Sequence, residues 1–156
     1  MANMELLYKA LDTAIWELGE GFKGMPDEDL WKRPAPQLLS VGELGAHVAY
    51  GLMQWLGRGH VDSPLFIEST RYYPYNVREP FEVKTSAADM YEEIKRVHAT
   101  VIERIKALNV DSEDQSDSRT EFNWGQSVTY QIFHVGYHTG QIYSVRHLLG
   151  HEPADN

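Results

Sequence analysis

The chain has 156 residues, no cysteine, and a net charge of −9 that comes from 14 basic and 23 acidic residues. This length favours one domain, residues 1–156, with a hydrophobic core of its own. An acidic chain without a basic cluster is a poor match for nucleic acid or an anionic membrane surface, and the lack of cysteine excludes disulfides, thiolate metal ligands and a cysteine nucleophile.

The N-terminal segment, residues 1–30, alternates charged and apolar side chains and does not resemble a signal peptide. No stretch approaches the ~18 uninterrupted apolar residues that a membrane-spanning helix needs. A composition without cysteine also fits a reducing compartment. We therefore expect a cytoplasmic protein that binds neither nucleic acid nor membranes.

Apolar residues recur every three or four positions in four segments, a spacing typical of amphipathic helices. The first predicted helix spans residues 4–22, and the second begins after Ser40 and continues to about Leu56. Ser40 and Glu43 have the spacing of a capping box, in which each side chain accepts a hydrogen bond from the backbone N–H of the other residue.

Residues 58–85 form a long connection that contains three prolines and is predicted to be a loop. A connection of this length is unusual inside a compact domain. In a helical bundle it lets the third helix start at the far end from where a tight turn would leave it. Its tyrosines either line the mouth of a pocket or cover the end of the bundle, and they are Tyr72, Tyr73 and Tyr75.

The third predicted helix is capped by Thr85 or Ser86 and runs to about Leu108. The acidic, serine-rich residues 109–120 that follow are predicted to be a solvated loop, and we assign them no chemistry.

The fourth predicted helix opens at about Gly125 with a second capping box, formed by Asn123 and Gln126, and it ends before Gly150. Four such segments predict an all-α fold, a four-helix bundle with a long connection between the second and third helices. We expect the aromatic residues Trp16 and Phe133, together with Trp55, to lie in its core.

Two histidines of the fourth helix, His134 and His138, are four residues apart and so lie on one face, one turn from each other. Two imidazoles at this spacing can chelate one cation, although the pair alone is a weak signal. A continuous polar stripe strengthens it and indicates an internal cavity, and its members are Ser127, Gln131, His134, His138 and Gln141.

Two glycines flank the pair, Gly136 and Gly140, and each costs ~1 kcal/mol relative to alanine inside a helix. We interpret that penalty as tolerated for close packing or for access to the pair.

His47 is the third candidate ligand, at the edge of the inward face of the second helix. Taken alone it is better explained as a hydrogen-bonded core histidine. Metal sites in helical bundles, however, are built from facing helices, and three neutral imidazoles leave open positions for water or substrate. Glu43, one turn earlier, either orients a ligand or acts as a base, although its capping role already accounts for it. The other histidines are interpreted as ordinary, and they are His60, His98, His147 and His151.

Two segments resemble the DinB/YfiT-like superfamily. The first reads His-x-x-x-His-x-Gly-Gln over residues 134–141 and is followed by Arg146 and a terminal Gly150. The second, residues 40–47, ends at His47 and is less specific. With the order of the helices and the long connection, the resemblance covers nearly the whole chain.

This resemblance implies a four-helix bundle of up-down-down-up topology, often a homodimer, with a divalent metal on His47, His134 and His138. Zinc, nickel, iron and manganese all fit this implied site. Family members with known activity include bacillithiol S-transferases and relatives of mycothiol-dependent maleylpyruvate isomerase, and others are presumed hydrolases. The connecting residues 61–85 match no substrate signature.

Three hypotheses follow. The first is an enzyme whose metal activates water or a low-molecular-weight thiol toward a small-molecule substrate, a hydrolase or a thiol S-transferase. Gln131 and Gln141 would then orient ligands or contact substrate, and a role as packing amides is equally compatible. The second is a non-catalytic stress-response protein that binds a metal or a small ligand. The third treats the histidines as core polar residues without a metal.

Overall fold

The computed structural model describes residues 2–59, 61–67 and 79–152. Its four α-helices are α1 (Ala2–Phe22), α2 (Val41–Leu52), α3 (Ala87–Leu108) and α4 (Trp124–Leu148). They agree with the four predicted helices. His60 and the three tyrosines of the long connection, Tyr72, Tyr73 and Tyr75, lie outside the described residues.

The predicted second helix continues to about Leu56, and the structure explains how. The last α-helical residue is Leu52, and a π-helical turn, Met53–Gly57, extends the helical path. The carbonyl of Leu56 accepts a hydrogen bond from Arg104 on α3 at 2.9 Å, so this turn is also tied to a neighbouring helix.

The contacts of α1 with α4 and with α3 establish the relative directions of these helices. The starts of α1 and α4 meet where Leu7 and Gln126 line one groove. Their later parts meet where the hydroxyl of Tyr143 donates to the carbonyl of Glu17. These two helices are therefore parallel. By contrast, α3 runs antiparallel to α1, because Tyr91 near its start donates to the carbonyl of Ile15 near the end of α1.

The other two pairs complete the topology. Gly45 of α2 packs against Met90 near the start of α3, and Gly57 after α2 packs against Val101 further along, so α2 and α3 are parallel. Against α4, Gly51 packs on His134 while His47, earlier in α2, lies beside His138, so this pair is antiparallel. The bundle is thus up-down-down-up.

The predicted helix caps are present. Ser40 with Glu43 opens α2, and Asn123 with Gln126 opens α4, each as a reciprocal capping box. Of the two candidates for α3, the cap is Ser86, whose hydroxyl accepts a hydrogen bond from the backbone N–H of Asp89. These caps satisfy N–H groups that have no partner inside their helices.

Glu43 is also half of a buried ion pair. Both of its carboxylate oxygens accept hydrogen bonds from Arg33, and the two side chains are 1% and 8% exposed. The same carboxylate accepts the backbone N–H of Ser40. These bonds satisfy the buried charge and pin the preceding loop to the first turn of α2.

Aromatic placement corrects part of the expected core. Trp55 is buried, but Trp16 is 59% exposed and Phe133 is 64% exposed. The prediction for these two residues is wrong because they lie just beside the buried positions of their helices. Ile15 and Leu18 face the core of α1, and on α4 the buried His134 takes the inward position next to Phe133.

None of the helices in the described part of the chain has the length and apolar character of a membrane span.

Arg146 of α4 joins the end of α1 to the end of α4. It is almost fully buried, and its guanidinium donates to the carbonyls of Glu20, Gly21 and Lys23 and to that of Glu152. The last carbonyls of a helix have no partner within it, and this side chain supplies one.

We predict that Arg146→Met lowers the free energy of unfolding by ~2–4 kcal/mol, because several buried carbonyls lose a charged donor at once. Arg146→Lys should recover little of the loss, since an ammonium group cannot reproduce the planar fork of donors. Urea denaturation measures both. A methionine variant as stable as the parent would contradict this role.

Candidate metal centre

The side chains of His47, His134 and His138 meet between α2 and α4. The Nε2 atom of His134 lies 3.1 Å from the Nε2 atom of His47 and 3.1 Å from that of His138. Potential ligand atoms of the three residues all lie within 4.8 Å of one another. The i, i+4 spacing places two of them on one face of α4, and the antiparallel packing brings the third from α2.

Burial keeps these imidazoles neutral. They are 7%, 6% and 3% exposed in sequence order. Burial, with a smaller contribution from His138, lowers the pKa of His47 to about 4. Burial and the two neighbouring histidines lower the pKa of His134 to about 3. Near neutral pH each ring therefore keeps a nitrogen lone pair, which is what a metal ligand requires.

Gln141 fixes the orientation of His138. The Nδ1 atom of His138 donates to the amide oxygen of Gln141 at 2.6 Å, which places the Nε2 lone pair toward the other two histidines. Burial lowers the pKa of His138, and this hydrogen bond opposes the shift. A hydrogen bond from the second ring nitrogen is the usual way in which a protein orients a ligating histidine.

The remaining candidates occupy two different environments. Gln131 is fully buried on α4, one turn before His134. Glu43 lies one turn before His47, but its carboxylate oxygens are engaged by Arg33 and by the backbone of Ser40. The carboxylate of Glu43 therefore serves the start of α2, whereas Gln131 and Gln141 lie beside the histidines.

The structure also shows residues that the sequence analysis missed. A Cβ atom at Gly51 would lie 2.7 Å from Cε1 of His134, so only glycine lets α2 approach this ring so closely. Two tyrosine rings flank the site. The ring centre of Tyr130 lies 6.0 Å from that of His134, and the ring centre of Tyr137 lies 5.1 Å from that of His138. An unexplained glycine inside an otherwise apolar helix was the available signal for Gly51.

The two glycines beside the histidine pair, Gly136 and Gly140, behave differently. A Cβ atom at Gly136 or Gly140 would meet nothing within 4 Å. Both glycines lie on the solvent-exposed side of α4. The interpretation that they allow close packing is therefore wrong, because no described residue packs against them.

Three further histidines lie away from this group. His98 is buried on α3 and faces Asp12 of α1 at 3.3 Å. His151 pairs with Asp29 at 2.7 Å, and His147 is exposed on the last turn of α4. Within the described ranges, the only cluster with ligand spacing is the one formed by His47, His134 and His138.

A groove of about 560 Å³ lies one turn from the histidines, between the start of α2 and the later part of α4. Its walls include Leu38, Leu44, Tyr137 and Gln141. Since Gln141 bonds to Nδ1 of His138, the groove approaches the outer edge of that ring.

Comparison with known proteins identifies the family. The sequence model of the DinB superfamily matches residues 10–142. The chain belongs to the DinB superfamily. The resemblance found in the two histidine motifs is thereby confirmed, because the match spans both of them.

A solved structure supports the fold of this DinB-superfamily chain. The crystal structure of a conserved protein from Enterococcus faecalis aligns with a TM-score of 0.56 over 94% of this chain and 96% of that one. The two sequences are 20% identical, so the likeness concerns the fold alone. No curated protein matches the chain.

Gly51, which packs against His134, and Gly136, which packs against no described residue, form a matched pair for a test of stability. Gly51→Ala should lower the free energy of unfolding by ~1–3 kcal/mol, because the added methyl group overlaps the ring of His134. Gly136→Ala should raise it by ~0.5–1 kcal/mol, because it removes only the entropic cost of a glycine in a helix. Urea denaturation compares them, and equal stabilities would show that α2 does not need this close approach.

Proposed function

We propose that the chain binds one divalent cation through His47, His134 and His138. The observation that carries the proposal is the convergence of three buried Nε2 atoms, with the central one 3.1 Å from each of the others. Burial that depresses the pKa of His47 and His134 matches what a cation needs from imidazole ligands. Imidazole ligands suit zinc, nickel and iron, and manganese is a further candidate.

We propose further that the protein is a metal-dependent enzyme, a hydrolase or a thiol S-transferase. A divalent cation on three histidines supplies a Lewis acid that makes water or a thiol nucleophilic near neutral pH. The chain itself contributes the three imidazoles, and Gln141 orients one of them. Because the chain has no cysteine, the thiol would be a low-molecular-weight cosubstrate.

The substrate in this proposal is a small molecule. The net charge of −9 argues against nucleic acid and against an anionic membrane as the partner. A cytoplasmic location belongs to the same proposal, since it rests on composition.

The alternative is a metal-binding protein without catalytic activity. It needs the same three ligands, so the histidines support both functions equally. The two differ in whether a reaction is turned over once the metal is bound.

We also propose a homodimer, as the family resemblance implies. The surface that favours it is an exposed apolar stripe on the outer side of α4, formed by Phe133, Tyr137 and Leu148. Stripes of this kind are typical of association surfaces.

We predict about one zinc, nickel, iron or manganese ion per chain in purified protein, measured by elemental analysis after the metal is offered. His47→Ala and His138→Ala should lose it, since a missing ligand costs more than the ~10–100-fold in affinity that loss of an outer partner costs. His147→Ala is the matched control, an exposed histidine of the same helix that should bind metal normally.

If the parent takes up none of these metals under the same conditions, the site is not a metal centre. The histidines are then core polar residues, as the third hypothesis holds.

The enzyme proposal predicts turnover by the metal-loaded protein in one of two assays. The first measures hydrolysis of activated esters and amides, and the second measures transfer of a small thiol to an aryl halide, in which an S–C bond forms and halide leaves. Activity should disappear in His47→Ala and persist in His147→Ala. Bound metal without turnover in either assay would favour the non-catalytic alternative.

A further inference from the structure

A row of buried polar atoms lies along α4 and ends at the candidate metal centre. It consists of the hydroxyl of Ser127, both amide atoms of Gln131 and Nδ1 of His134. None of these atoms has a hydrogen-bond partner in the part of the chain that the structure describes. A buried polar group without a partner destabilises the fold, so such a row calls for an explanation.

His138, the neighbouring histidine of α4, has at Nδ1 the hydrogen-bond partner that His134 lacks in the described part of the chain. His138 and Gln141 are three residues apart on α4, and Nδ1 of the histidine donates to the amide oxygen of the glutamine. Gln131 and His134 are also three residues apart on the same helix. Residues at this separation lie on one face, where their side chains can meet.

Both atoms also face the same point on α2. A Cβ atom at Gly51 would lie 3.2 Å from Nδ1 of His134 and 3.6 Å from the amide oxygen of Gln131. An acceptor and a potential donor are therefore confined together beside Gly51. The histidine is 6% exposed and the glutamine 0%, so bulk water cannot satisfy either fully.

We propose that Gln131 is the positioning residue for His134: its amide oxygen accepts the Nδ1 proton, directly or through one buried water, and so presents Nε2 to the cation. The inference rests on the proposed metal site. A histidine that binds a cation through Nε2 carries its proton on Nδ1, and this proton needs an acceptor. Each of the two ligands on α4 then has its own glutamine.

A purely structural role for Gln131 predicts the opposite order of variants. Leucine is the better residue for a buried apolar site, whereas glutamate buries a charge or an acid without improving the packing. If Gln131 only fills space, Gln131→Leu should resemble the parent and Gln131→Glu should be worse. If it accepts the proton of His134, glutamate keeps the acceptor and leucine removes it.

The experiment measures the zinc affinity of full-length parent, Gln131→Leu and Gln131→Glu by competition with a chelating dye. We expect Gln131→Leu to bind zinc ~10–100-fold more weakly, the usual effect of losing an outer partner. Gln131→Glu should stay within a few-fold of the parent. Urea denaturation of the metal-stripped proteins should give the reverse order, with leucine at least as stable as glutamate.

Thr139→Val is the matched control. Thr139 is a buried polar residue of α4 whose hydroxyl bonds to the carbonyl of Val135, so its loss reports the general cost of removing a buried polar group. Its zinc affinity should equal that of the parent. In the zinc-loaded parent, NMR should detect a slowly exchanging Nδ1 proton on His134, and this signal should be lost or shifted in Gln131→Leu.

The outcomes separate the two proposals. A parent that binds none of zinc, nickel, iron and manganese overturns the metal site and this inference with it. Zinc binding that is unchanged in Gln131→Leu overturns the role of Gln131 alone, as does a glutamate variant that binds more weakly than the leucine variant. Should the leucine variant fail to fold, the glutamate variant decides: affinity near that of the parent supports the acceptor role, and a loss of ~10-fold or more refutes it.

Discussion

The close antiparallel approach of α2 to α4 is the constraint on which the histidine cluster depends. At Gly51 the backbone of α2 comes so near the ring of His134 that a methyl group would overlap it. This spacing brings His47, one turn earlier, against the pair on α4. The remaining helices hold the approach from outside, because α3 packs along α2 and α1 packs along α4.

Burial gives the cluster its chemical character. Three imidazoles in water would titrate near pH 6.5, whereas the low pKa values of His47 and His134 keep these rings uncharged well into the acid range. Burying three polar rings together is costly unless their nitrogens gain partners. A cation would provide one for all three at once. The amide of Gln141 already provides an acceptor on the opposite edge of His138, and our proposal gives Gln131 the same role for His134. The site is therefore best understood as an inner group with its supporting amides.

Much of this arrangement could be predicted from the sequence. The two capping boxes are local signals, and both located helix starts correctly. The i, i+4 histidines and the family motif picked out the three histidines that the structure brings together. The sequence was a poorer guide to which side chains face a neighbouring helix. Trp16 and Phe133 lie one position from buried residues, and the hydrophobic periodicity does not resolve a difference of one position. Gly51 was missed because its role depends on what faces it across the bundle, which no local pattern contains.

The ion pair between Arg33 and Glu43 has a consequence for the motions of the site. The backbone N–H of Gly42 also bonds to the carbonyl of Leu30 at 2.7 Å, so the loop before α2 is fastened to its first turn at two levels. Local opening of a protein occurs in cooperative units, and these two links lead us to expect that the loop and the start of the helix open together. Fraying of this end alone would not release His47, because the loop would have to detach with it.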